Sequence, residues 1–317
     1  MNPSSTALDL YRGGLVTRAS QSATLHPEEL RRRAAKAAGE KDAAALWALT
    51  EAHLTTHGKS GARVSPHTLR IYREAVRSFV AYATGNAVDL LKPGSNVGAL
   101  YLRHLEAEGK SAATVRVKLA GARALYKALR WAGATTADAF ADAKAVRDTT
   151  PAWEKRQPYT EEEATRLLDH ADARMRALLL LCGHAGLRIA EALALDWADV
   201  DLGARALTVR NGKGGKTRRV ILSRSLGAAL EALGHREGPV IGGGPDSARE
   251  RLGWLCKRAG VDNRGFHALR HYAGTRLVRE GRSLDDAARH LGHASIETTR
   301  IYAKWADDGL RDALNDW

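Results

Sequence analysis

Six side chains of this 317-residue chain are of types that could grip a phosphate and attack it. The last, Tyr302, closes the run Leu291-Gly292-His293-Ala294-Ser295-Ile296-Glu297-Thr298-Thr299-Arg300-Ile301-Tyr302. A phenol near the end of a strongly basic chain is a candidate nucleophile towards a DNA phosphate. The competing explanation is a tyrosine on an amphipathic helix with its hydroxyl at the surface. What decides between them is the set of polar clusters upstream.

Gly186-Leu187-Arg188-Ile189-Ala190-Glu191 puts Arg188 at a helix start, where backbone N–H groups and a guanidinium can face the same anion. Glu191, one turn on, could hold that guanidinium, although such a pair is also ordinary surface charge. Lys213 stands in Asn211-Gly212-Lys213-Gly214-Gly215-Lys216-Thr217. A phosphate-binding loop would need glycine five residues before Gly215, where the chain has Arg210. A glycine-rich turn suits either a mobile ammonium that swings onto a leaving oxygen or a plain soluble hairpin turn.

His267 and Arg270 in His267-Ala268-Leu269-Arg270-His271 share one helix face. His267 and His271 could instead ligate zinc, but Ala268 stands where a metalloprotease carries glutamate and no third ligand follows at suitable spacing. His293 ends the next helix after Gly292.

These residues need elements to position them. The first 25 or so residues, rich in serine and weakly periodic, are expected to be partly disordered. Helical patterns then run from Pro27 to about 145. They include a stretch from Ser65-Pro66 with Leu69, Tyr72, Val76, Phe79 and Val80 in phase, and another from Ser111 with Val115, Leu119, Ala122, Leu125, Tyr126 and Leu129. Residues 26–145 thus read as an all-helical domain. Its remaining faces carry Arg70, Arg73, Arg77, Lys110, Arg116, Lys118, Arg123, Lys127 and Arg130, which could follow a phosphate backbone or simply solubilise the helices.

Two prolines interrupt the pattern over 146–158, an interdomain linker. Thr160-Glu161-Glu162-Glu163 then reads as a capping box opening a second domain, 159–317. Alternating residues at 206–210 and 218–222 flank the glycine-rich turn as a β-hairpin, with a short strand near 200–202. Helices are expected at about 225–233, 246–259, 266–280, 284–291 and 296–305, with a last one near 307–316. The fold class is mainly α with a small antiparallel β-sheet.

Composition sets the frame. The chain carries a formal charge of +13, which suggests a polyanionic partner. Residues 59–130 hold 13 Lys and Arg against 4 Asp and Glu, whereas 151–317 hold 27 against 23, so basic groups in the second half must act individually. The longest strongly apolar run, Ala177 to Cys182, is too short to span a bilayer and no signal-peptide core is evident, so a cytoplasmic, nucleoid-associated protein without membrane contact is expected. Two cysteines, Cys182 and Cys256, give no disulfide framework.

Taken together, Arg188, Lys213, His267, Arg270, His293 and Tyr302 resemble the active-site set of the tyrosine recombinases, the phage integrase family, in order and in spacing. The Leu-Gly-His-Ala-Ser-Ile-Glu-Thr-Thr-Arg-Ile-Tyr run and the helical first domain look most like the bacterial Xer branch, although Ala190 replaces the family's usual Ser or Thr and the N-terminal extension is long for that branch. The resemblance covers about 159–305 and is architectural over 27–145. It implies an N-terminal core-binding domain and a catalytic domain that cut and rejoin duplex DNA through a 3′-phosphotyrosyl link, with Tyr302 as nucleophile.

On that resemblance Arg188 and Arg270 neutralise charge on the phosphate, Lys213 protonates the leaving 5′-oxygen, His267 assists proton transfer and His293 donates to a phosphate oxygen. No cofactor is expected, because these groups replace the metal ions of other phosphoryl-transfer enzymes. His271 is assigned to packing or support. The implied partners are double-stranded DNA, a homo- or hetero-tetramer on two sites, a paralogous recombinase and a DNA translocase activator, with the C-terminal helix docking on a neighbouring protomer. Chromosome dimer resolution is the implied role. Integration or excision of a mobile element, type IB topoisomerase-like relaxation and a catalytically silent DNA-binding module are the alternatives.

Overall fold

Serine, threonine and aspartate caps punctuate the helical periodicity, and each cap begins a helix where the apolar phase begins. The structure, a computed structural model, describes residues 3–150, 154, 157–210, 217–234, 237–293 and 299–302. The chain divides into two compact units, Met1–Thr149 and Thr150–Trp317.

The first unit is helical: α1 (Pro3–Ala23), α2 (Pro27–Gly39), α3 (Ala43–His57), α4 (Pro66–Gly85), α5 (Val97–Ala107) and α6 (Ala112–Trp131). Asp42 accepts from Ala44 N at 2.9 Å, Ser65 from Thr68 N at 3.1 Å and Ser111 from Thr114 N at 3.3 Å, which satisfies amides that the first turn leaves without partners. Apolar faces of α3, α4, α5 and α6 enclose one core. At its centre Phe79 lies 5.1 Å from Tyr101 and 5.0 Å from Phe140, both edge-on. Gly121 allows α6 to lie close on α4, since a Cβ there would sit 2.3 Å from the Ala75 Cβ.

The first 25 residues depart from the expected partial disorder, because Pro3–Ala23 forms α1. Leu15 and Ala19 are buried, Tyr11 donates to Val64 O at 3.1 Å, and Arg18 pairs with Glu51 at 2.9 Å. One inward residue per turn is enough to dock the helix, and that narrow stripe is hard to see among the serines and glycines.

The second unit is built around one buried apolar helix. After α7 (Glu161–Asp169), opened by the reciprocal Thr160–Glu163 capping box, α8 (Ala173–Gly183) buries Met175 and everything from Ala177 to Gly183. A helix apolar on all sides must be wrapped by others. Its wrapping includes α10 (Arg224–Ala232) and α12 (Gly265–Arg279), with α9 (Ile189–Leu193), α11 (Pro245–Ala259) and α13 (Leu284–Leu291) beside them. β1 (Val200–Asp201), β2 (Ala206–Val209) and β3 (Arg218–Ile221) form an antiparallel sheet in the order β1-β2-β3, with Val200 opposite Leu207 and Val209 opposite Arg218.

Mainly helical architecture with a small antiparallel sheet is therefore what the sequence predicts. Of the helix expected at 296–305, the described residues form a 3-10 turn at Arg300–Tyr302, closed by Tyr302 N donating to Thr299 O at 2.9 Å. Lys213 and the helix expected at 307–316 lie outside the described residues. Among the described residues, no helix is long and apolar enough to cross a membrane.

Candidate active site

Arg270 is the group around which the polar residues of the second unit gather. It projects from the second turn of α12 and is 1% exposed. One Nη donates to Gly186 O and the other to Leu291 O at 2.7 Å, so a single guanidinium ties together the loop before α9 and the end of α13. Burial, followed by the positive charge of Arg188, lowers its pKa to about 10, which leaves it charged at neutral pH.

Both loops are shaped to receive it. Gly186 has φ +63°, and a Cβ there would lie 2.4 Å from Leu291 Cδ2. Gly292 ends α13 with φ +66° in the left-handed region that favours glycine.

Arg188 caps α9 from outside and remains accessible, with 30% of its side chain exposed. Its backbone N–H donates to Glu191 Oε2 at 3.0 Å and its Nη1 to Glu191 Oε1 at 2.8 Å. Glu191 thus holds the guanidinium, as its position one turn later suggests. It is also gripped from the sheet, where Arg218 on β3 donates to Oε2 at 2.7 Å and to Oε1 at 3.1 Å. Arg270 Nη1 stands 4.0 Å from the same carboxylate. Burial pushes the Glu191 carboxyl upward, but hydrogen bonds from Arg218 and Arg188 outweigh it and hold the pKa at about 2.

His267 is exposed at the start of α12 and its ring packs edge-on against His271, 4.4 Å between centroids. His293 follows Gly292 and is half-buried. Its Nδ1 lies 2.9 Å from Thr299 Oγ1, and its ring stacks on that of Tyr302 at 6.4 Å and 12°. Burial, then the charges of Arg270 and Arg188, depresses the His293 pKa to about 4.

Tyr302 is 1% exposed, so its hydroxyl is not at the surface. The phenol oxygen lies 2.9 Å from His271 Nδ1. Its ring rests on α12 at Gly274, where a Cβ would come within 2.5 Å of Tyr302 Cζ. The side chain beside the phenol is therefore His271, assigned from sequence to packing or support, while Arg218 is a member of the cluster that sequence reasoning did not single out.

The basic residues of the first unit divide by what they touch. Arg70, Arg73, Arg77, Lys110, Arg116 and Lys127 are exposed, Arg77 pairing with Glu74 at 3.1 Å and Lys110 with Glu108 at 3.8 Å. Lys118 is half-buried, and its Nζ lies 3.4 Å from Glu74 O. Arg123 and Arg130 turn to their own chain: Arg123 donates to Phe140 O at 3.2 Å and Ala143 O at 2.8 Å, and Arg130 to Ala137 O at 3.1 Å.

Comparison with known proteins gives the family of the chain. The phage integrase family profile matches residues 158–241 and 245–308, and the phage integrase N-terminal SAM-like domain matches 59–133. Tyrosine recombinase XerD of Mycobacterium tuberculosis is 30% identical over 288 residues, covering 78% of this chain and 90% of the relative. Tyrosine recombinase XerA of Thermococcus kodakarensis is 31% identical over 282 residues, covering 83% and 92%. Among solved structures, XerH site-specific recombinase bound to a palindromic difH substrate matches with a TM-score of 0.66 at 18% identity, covering 98% of this chain and 96% of that one. A lambda integrase dimer bound to a COC′ core site gives 0.64 at 18% identity, covering 82% and 76%. The chain belongs to the phage integrase family and is a tyrosine recombinase.

Proposed function

We propose that this recombinase is an Xer-type enzyme that resolves chromosome dimers, with Tyr302 as nucleophile and Arg188, Lys213, His267, Arg270 and His293 around the scissile phosphate. Its helical first unit binds one face of duplex DNA while the second performs the chemistry. By likeness to the DNA-bound relatives, two copies share a recombination site and two such sites are brought together, with a paralogous recombinase and a DNA translocase as candidate partners. The bacterial and archaeal Xer relatives, matched over most of their length, support that role over integration of a mobile element. The observation that carries the chemistry is the buried Arg270 guanidinium joining the Gly186 and Leu291 loops, because it draws the Arg188, Arg270 and His293 motifs into one electropositive cluster.

In the proposed step the Tyr302 oxygen attacks phosphorus in line. The P–O bond to tyrosine forms, the P–O5′ bond breaks, and the 5′-oxygen takes a proton from Lys213. The phenol proton leaves through the histidines beside it. Negative charge grows on the non-bridging oxygens as the phosphorane forms, and forked donation from Arg188 and Arg270 neutralises it. Since the phosphotyrosyl bond conserves the energy of the phosphodiester, a 5′-hydroxyl from a second duplex can reverse the reaction on a new partner.

The test is a suicide duplex carrying a site recovered from the host chromosome with the Tyr302→Phe protein. Wild-type protein should form a protease-sensitive covalent adduct through the 3′-phosphate end of the broken strand, and Tyr302→Phe should bind without forming it. An adduct from Tyr302→Phe rules out this nucleophile. Chromosome dimer resolution further requires one recovered locus per chromosome, and recovery only at the ends of an inserted element would assign the enzyme to mobile DNA instead.

A further inference from the structure

We propose that Arg218 is a positioning residue that sets the charge of the recombinase site by occupying Glu191, an inference that rests on the catalytic reading of Arg188 and Arg270. The difficulty it solves is electrostatic. Glu191 orients Arg188 at 2.8 Å and lies 4.0 Å from Arg270, so an ionised carboxylate stands beside the two guanidiniums that must present charge to a phosphate. Left alone, it would screen both.

Arg218 meets Glu191 with a fork, one Nη to each oxygen at 2.7 and 3.1 Å. Three guanidiniums against one carboxylate leave a formal charge of +2, with Arg188 the most exposed member. A phosphodiester carries one negative charge and the phosphorane formed by a phenolate carries two. With Arg218 present the three arginines and Glu191 together offset the charge that develops on the non-bridging oxygens in the transition state, Lys213 being spent on the leaving oxygen, and without Arg218 they offset only the ground-state charge.

Arg218 does not reach substrate itself. Only 13% of its side chain is exposed, both Nη atoms are turned to Glu191, and a Cβ at Gly292 would lie 2.6 Å from its Cδ. Its Nε is buried and has no hydrogen-bond partner among the described residues. A guanidinium buried at that cost and directed at one carboxylate acts through that carboxylate. Pairing Val209 with Arg218 at the end of the β2–β3 ladder fixes the position of its backbone.

The alternative is that Arg218 only fastens β3 to α9. Single-turnover cleavage by the full-length protein separates the two on a duplex with a normal scissile phosphate and on one with a neutral methylphosphonate there. Arg218→Met should lose about 100-fold on phosphate, comparable to removing one transition-state donor, while falling within about threefold of wild type on methylphosphonate, where less charge develops. Arg218→Lys should keep most of the activity on both. The double variant Glu191→Gln with Arg218→Met restores +2 and should cleave phosphate faster than Arg218→Met alone.

Equal losses on the two substrates, no loss on phosphate, or no recovery in the double variant would each overturn the proposal. Should wild type leave methylphosphonate uncut, or Arg218→Met fail to fold, Arg218→Gln alone and paired with Glu191→Gln decides by the same recovery criterion. Failure of wild type to cleave any duplex, or an adduct from Tyr302→Phe, would instead overturn the catalytic reading itself.

Discussion

The Tyr302 hydroxyl lies 2.9 Å from Nδ1 of His271, and His271 in turn packs against His267 at 4.4 Å between ring centroids. The phenol thus meets the α12 histidines through the residue one turn beyond the one that family resemblance designates. His271→Phe keeps the buried ring and removes Nδ1. It should lower covalent-adduct formation about 100-fold, at the low end for a lost proton-transfer partner, with DNA affinity within about twofold as for an undisturbed binding surface. It should also lower stability by about 1 kcal/mol, because the buried hydrogen bond between the phenol and Nδ1 is lost. Thermal melts and suicide-substrate cleavage measured together check this, and unchanged cleavage would leave His271 with packing alone.

Gly274 supplies the seat for that phenol. A methyl group there would stand 2.5 Å from Tyr302 Cζ, 2.6 Å from Cε2 and 3.0 Å from Leu291 Cδ1. In an open helix Gly→Ala gains about 1 kcal/mol from backbone entropy; here the ring must move, at about 1–3 kcal/mol for overpacking. Gly274→Ala should therefore be neutral to destabilising overall while cutting adduct formation by more than tenfold, since small misplacements of a nucleophile carry large rate penalties. A variant that melts higher and cleaves normally would show that the ring is not confined there.

Much of the site was legible because its signals are local. Arg188 and Glu191 sit three residues apart on one helix start, Thr160 and Glu163 form a capping box, and alternating residues mark the two strands on either side of a glycine-rich segment. Arg218 and His271 act over distance, and nothing near them in sequence names Glu191 or Tyr302. One clue to Arg218 was available, since alternate strand residues share a face and Arg218 shares its face with buried Val220, while Arg219 and Ile221 are exposed. An arginine on the core side of a strand needs an acidic partner. For α1 the missing signal was breadth, its inward stripe of Tyr11, Leu15 and Ala19 holding only one residue per turn.

The basic residues of the first unit should separate into two classes. Arg123 donates to Phe140 O and Ala143 O, so Arg123→Ala releases the chain after α6 and should destabilise by about 1–3 kcal/mol. The salt dependence of DNA binding should stay as in wild type. Arg73 and Arg116 are exposed, and each alanine variant should reduce the slope of log affinity against log salt by about 1 while leaving the melt within about 0.5 kcal/mol. Fluorescence anisotropy over a potassium chloride series distinguishes the two. A lowered slope for Arg123→Ala, with stability unchanged, would move that guanidinium onto the DNA.

Acid should destabilise the protein in two separable windows. Burial lowers the pKa of His53, His184, His290 and His293 from 6.5, and brings His293 to about 4. Between those two values the unfolded chain binds protons that the folded one refuses, so stability is present above pH 6.5 and drains as pH falls towards 4. Glu191, held at about 2 against an ordinary 4.5, contributes stability that is lost only below 4.5. Melting temperature should accordingly fall with acidification from 6.5, His293→Asn should shallow the slope in the upper window, and Glu191→Gln should act in the lower one. A melting temperature that rises between pH 6.5 and 4.5 would mean that these imidazoles are charged in the folded state, placing a cation at His293 beside Arg188 and Arg270 where the geometry favours a neutral ring.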